Sequence, residues 1–181
     1  MNGIAMGSSP KPPDTPLAPP PGLPREERLD TVAALVRAQD DVIALARRHV
    51  KVFDIDLSWG GWNAAPRCET LAALLRSVPG ARLDIIVHDT RWLESSGARL
   101  MALLARYAHA MKVYRTGAAA RAAMDPLLIV DDLHFVHRHH IDRTAGTLSI
   151  GSPERAKPLV ERFDEIWETG EPGVTGSVLG L

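Results

Sequence analysis

The chain has 181 residues, 45% hydrophobic and 24% charged, with a formal net charge of -1. That length and composition suit one globular domain with a real core, and near-neutrality supplies no global field drawing it to nucleic acid or an anionic membrane. Apolar runs such as Leu127–Val130 are far short of a membrane span, no charged-then-apolar leader opens the chain, and Cys68 stands alone. These features predict a cytoplasmic protein with no internal disulfide, with neither nucleic acid nor membrane as a partner, and with no cofactor motif.

Residues 1–24 hold eight of the 14 prolines and read as a disordered tail, with Pro13 to Pro16 as a PxxP candidate. The domain is expected over residues 28–170, followed by a Gly-rich extension, 171–181, that ends in the apolar Val178-Leu179-Gly180-Leu181. Leu29, Val32, Val36, Ile43, Ala46 and Val50 recur at helical steps, predicting one helix of roughly 20 residues. Lys51–Leu57 alternates as a strand does, and Ser58–Asn63 is a loop around two glycines. Pro66 opens a second helix, which Pro79-Gly80 ends. Arg82–His88 reads as a buried strand, and Asp89-Thr90 caps a helix carrying Leu93, Gly97, Leu100, Leu104, Tyr107 and Met111. Met111–Arg115 is a short strand, and Leu127–Asp131 with Leu133–His140 forms a hairpin turning at Asp131-Asp132. Ser152 and Pro153 start a last helix, with Ala156, Leu159, Val160, Phe163, Ile166 and Trp167 on its core face. The order predicts an α/β fold, a mixed β-sheet flanked by helices.

Met124–Asp131 resembles the phospholipase D signature HxKxxxxD, in which His is the nucleophile, Lys holds phosphate and Asp closes the motif. Met124 stands in the His place and Pro126 in the Lys place, and Asp131 alone remains. A thioether does not attack phosphorus as imidazole does, and proline carries no charge to bind it. The stretches 53–63, 83–94, 124–142 and 161–168 and the terminal VLGL are similar to an uncharacterised bacterial family of phospholipase D-like half-domains with a degenerate active site. The resemblance implies a half-domain that pairs with a second copy, and it implies little chemistry. An abundance of Ala and Arg agrees with a bacterial source. Gly151-Ser152 is too far from Asp131 to be the GSxN segment that follows the signature.

His49–Asp56 fits HxKxxxxD letter for letter, with Gly60–Asn63 shortly after. In a homodimer it would supply two His and two Lys to a phosphodiester, the enzymatic alternative. Against it, His49 falls at the predicted end of the first helix, where His49 and Lys51 would simply complement the dipole. His134, His137, His139 and His140 crowd one strand, and a His-x-His pair suits a metal if further ligands such as His88 or Asp131 converge. Cys68, in the first turns of the second helix, has no partner base marked in the sequence.

The preferred site is a shallow pocket at the carboxyl ends of the strands, where open α/β sheets place ligands. Its candidate residues are Asp54, Asp56, Trp62, Asn63, His88, Asp89, Asp131, His137, Arg138 and His139. Arg138 would take an anion bidentately, Trp62 would form a wall and Asn63 a polar anchor. The alternative for the aspartates is that they cap and end elements. The sequence thus points to a non-catalytic binding or accessory domain for a small anionic ligand or a protein partner, with a homodimer as a further expectation.

Overall fold

The computed structural model describes residues 24–175; the expectations for the Pro-rich tail and the apolar C-terminus fall outside these. Its strands are β1 (Arg25–Leu29), β2 (His49–Asp54), β3 (Arg82–Val87), β4 (Met111–Arg115), β5 (Leu127–Val130), β6 (His134–Arg138), β7 (Gly146–Ile150) and β8 (Glu171–Val174). Its helices are α1 (Val32–Ala44), α2 (Ala65–Ser77), α3 (Arg91–Ser96), α4 (Ala98–Arg106) and α5 (Pro153–Glu168). The strands form one sheet in the order β1-β7-β6-β5-β2-β3-β4-β8. β2, β3 and β4 are parallel, and the other pairings are antiparallel. The expected mixed α/β sheet is what forms.

Alternation along the strands splits the core in two. Val50 and Val52 face α1, α2 and α4 with Leu35, Val42, Leu71 and Leu100, whereas Phe53, Ile86, Leu127 and Phe135 face α5 with Phe163 and Ile166. The sheet therefore has an α1 face and an α5 face, and neighbouring residues of one strand belong to opposite sites.

Several boundaries depart from the sequence reading. The predicted 29–50 helix is in fact β1, α1 and the start of β2. Thr31 Oγ1 accepts from Ala34 N at 3.1 Å to start α1, and the Asp131 carboxylate takes the amides of Arg47, Arg48 and His49 at 2.7–2.8 Å beyond its end. His49 thus opens a strand rather than closing a helix. The predicted 93–111 helix is two helices broken at Gly97, where a Cβ would lie 2.6 Å from Leu93 Cδ1 and 2.7 Å from its carbonyl oxygen. Ser152 makes no side-chain cap bond to α5. The turn at Asp131-Asp132 is present, both residues having a φ of 55°. β1, β7 and β8 were not anticipated; β1 and β8 are short, largely polar edge strands, and β7 is a short strand held between β1 and β6.

Candidate functional site

The ten candidate residues do not form one pocket. Asp54, at the end of β2, lies on the α1 face. It is 6% exposed, accepts Ile55 N at 2.6 Å, and lines a nearly filled crevice with Gln39, Trp59, Trp62 and Arg138. Burial pushes its pKa up to about 6; Asp56 adds to the rise, and the Ile55 amide, Trp62 and Arg138 oppose it. Trp62 Nε1 completes no hydrogen bond, so its effect on Asp54 is electrostatic. Arg138 stacks 4.1 Å from the Trp59 ring centroid and donates to the carbonyls of Ile141 and Arg143, which leaves it a loop clamp rather than a free anion fork.

His88 points to the opposite face, edge-on to Phe53. Its Nε2 lies 2.7 Å from the Ala123 carbonyl and its Nδ1 2.6 Å from Thr116 Oγ1. Since a carbonyl only accepts, Nε2 carries the proton and Thr116 serves Nδ1, so both ring nitrogens are occupied. Asp56 caps Ser58, and Asn63 ties Ser96 O to Arg99 N at the start of α4. Asp89 grips Arg91, whose hydrogen bonds hold its carboxyl at about 2. These three anchor loops, Asp89 as the capping alternative has it.

Asp131 lies at the other end of the sheet. β5 runs antiparallel to β2, with Val130 opposite Val50, which carries Asp131 to the amino end of β2. Its oxygens are spent on three backbone amides. It therefore cannot join His88 or Asp54, which a linear reading of the hairpin does not reveal.

His137 and His139 do share a face, with ring centroids 5.4 Å apart. They go to different partners, His137 Nε2 to Asp125 Oδ2 at 3.3 Å and His139 Nε2 to Thr147 Oγ1 at 3.0 Å. Burial and the neighbouring His137 depress the His139 pKa. Among the described residues no three His, Cys, Asp or Glu side chains converge as a metal site, which corrects the metal alternative for the 134–140 histidines. Cys68 is buried, and burial raises its thiol pKa.

Two ionic groups were missed. The first is Asp125, which lies between Met124 and Pro126. It takes Arg162 of α5 at 2.8 Å through Nε, with a second bond from Nη2, and also meets His137. Burial raises its pKa, but these partners more than offset that and hold it at about 2. Beside Arg162 a cleft of about 380 Å³ opens between Ala119–Ala123 and Glu165, Ile166 and Thr169. The second surrounds Asp84, buried on β3, which receives His49 Nε2 at 2.8 Å and a bond from Arg82. Its carboxyl is lowered, since these bonds outweigh desolvation. Lys51 Nζ sits between Asp132 Oδ1 at 3.1 Å and Asp164 Oδ1 at 3.3 Å. The signal for the second group was parity: His49, Lys51 and Asp84 share a face once β2 and β3 are paired in register.

A family model described as a domain of unknown function, DUF7931, matches residues 31–175. No curated protein matches the chain in sequence. Among solved structures the chain is similar to Nuc, a phospholipase D family member from Salmonella typhimurium, with a TM-score of 0.60 and 14% identity over 82% of this chain and 97% of that one. It is similar to NucT from Helicobacter pylori with a TM-score of 0.56 and 11% identity, over 83% of this chain and 99% of that one. A third is TrmBL2, an archaeal chromatin protein described as showing a novel mode of DNA binding, at 0.59 and 14%, covering 82% of this chain and 54% of that one. At such identities the likeness establishes the phospholipase D-like fold. It also corrects one expectation: a protein of this fold is described as binding DNA, so the exclusion of nucleic acid as a partner, drawn from net charge, does not stand. No helix among the described residues is long and apolar enough to cross a membrane.

Proposed function

Because the chain belongs to the family described as domain of unknown function DUF7931, we propose its role from its own residues. It is a non-catalytic phospholipase D-like domain that binds a small anionic ligand or a protein partner. The observation that carries this reading is the pair Met124 and Pro126 at the places of the signature's nucleophile and phosphate-binding cation. The surviving Asp131 serves the backbone of the α1–β2 loop, and His88 has both nitrogens engaged. What remains near Met124 is Arg162 beside the 119–123 cleft, its guanidinium held ready by the Asp125 carboxylate. An incoming phosphate or carboxylate would share or displace Asp125.

The expected outcome is no turnover of bis(p-nitrophenyl) phosphate, together with a rise in melting temperature with inorganic phosphate that is lost in Arg162→Gln. One observation favours the enzymatic alternative: His49 and Lys51 lie on one face of β2, with His49 oriented by Asp84 as a nucleophile or base would be. Against it, Lys51 is already neutralised by two carboxylates. Turnover abolished by His49→Ala would replace the binding reading with this one.

A further inference from the structure

The loops entering the three parallel strands carry a concentration of cations that the net charge of -1 conceals. Arg47 and Arg48 precede β2, Arg76 ends α2 and Arg82 opens β3, and Arg106 ends α4 with Lys112 in β4; all six are exposed. The register places them together. Arg82 N donates to Arg48 O at 2.8 Å, His49 pairs with Arg82, and Leu83 N donates to Ala110 O at 2.9 Å. Three adjacent strand starts span about 10 Å.

Three of the acids at this edge are already committed. Asp84 is buried between His49 and Arg82, Asp131 caps backbone amides, and Asp132 takes Lys51; exposed Glu154 flanks the edge at the start of α5. Among the described residues, Arg47, Arg48, Arg76, Arg106 and Lys112 form no ion pair with a carboxylate. Arg76 and Arg106 also complement the carboxyl ends of α2 and α4, yet the dipole of a helix end does not call for the cations of the loops and strands.

We propose that this edge is a docking surface for the phosphate backbone of nucleic acid, bound without reading of sequence. Arginine forks match phosphate oxygens, and a flat row of cations tracks a regular row of anions. Among the described residues, the exposed large hydrophobic side chains, Val32 and Met124, lie at the opposite end of the sheet, so none of these offers this edge an apolar anchor for a lipid surface. The surface is remote from Arg162 and Met124, so the inference does not depend on a small anion binding there.

The test is fluorescence anisotropy of a labelled mixed-sequence duplex of about 20 base pairs with the full chain, at low and moderate salt. Binding is expected, weakening as salt rises, with Arg76→Glu/Lys112→Glu losing about 10-fold or more in affinity. Arg37→Glu/Arg143→Glu, an equal charge change at exposed sites elsewhere, should keep wild-type affinity; thermal melts establish that both variants fold. Absence of binding by the folded wild type would overturn the proposal. So would equal losses in the two variants, or binding to anionic phosphatidylserine vesicles without binding to the duplex.

Discussion

Asp54 illustrates how much a single residue depends on its surroundings. In an unfolded chain it titrates near 3.8, and burial lifts it to about 6 in the folded protein. The native state therefore holds the proton more tightly, so its contribution to stability is greatest below about pH 4 and is lost as pH rises through 6. A rise of that size corresponds to about 3 kcal/mol as a ceiling. Asp54→Asn keeps the acceptor for Ile55 N and removes the charge. Urea melts should show the variant more stable than wild type at pH 7.5, by about 1–3 kcal/mol, with the gap closing by about pH 4.5. Asp125 has the reverse sign: its partners hold it at about 2, so its contribution is present above about 4 and is lost as pH falls toward 2. From sequence the two aspartates look alike, and only their neighbours separate them.

Among the elements, β8 reaches its place through a tight passage at Gly170. It adds to the edge of β4, and Tyr114 of β4 stacks on Trp167 of α5 at 4.4 Å between centroids. Gly170 threads the chain from α5 to β8 over that pair. A Cβ there would lie 2.9 Å from Ile86 Cδ1, from Tyr114 Cδ2 and from the Trp167 carbonyl oxygen. Two of those atoms belong to packed side chains and one to backbone, so the strand must shift. Gly170→Ala should cost about 1–3 kcal/mol. Its mark in hydrogen exchange would be lost protection in β8 and the end of α5, with β2 and β3 unchanged. Loss spread evenly over the sheet would show that β8 is not a separate unit. The helices and the central strands were legible because their patterns are strong: Pro66 does sit in the first turn of α2, and Met111–Arg115 is a strand as expected. β1 and β8 were illegible because an edge strand such as REERL has half its pattern in solvent.

For the whole molecule, the likeness to phospholipase D-like folds bears on assembly. One half-domain stands where the resemblance implies a pair, which motivates a homodimer; light scattering at micromolar concentration should give twice the chain mass of 19.7 kDa, and a monomer mass would end the idea. The sequence pointed to aspartates, histidines and Arg138 near the strand ends as one pocket. That pocket was misassembled in space. Alternation within β2 and β3 sends Asp54 and His88 to opposite faces, and the antiparallel run of β5 removes Asp131 to the far end. By itself the sequence determined the mixed sheet and the hairpin with its two aspartates, because local spacing and residue chemistry are enough for these. Only the tertiary structure decided which charges meet: Arg162 with Asp125, His49 with Asp84, and six scattered cations on one edge. Those neighbours come from strand register and helix docking between residues far apart in the chain, and no local pattern encodes them.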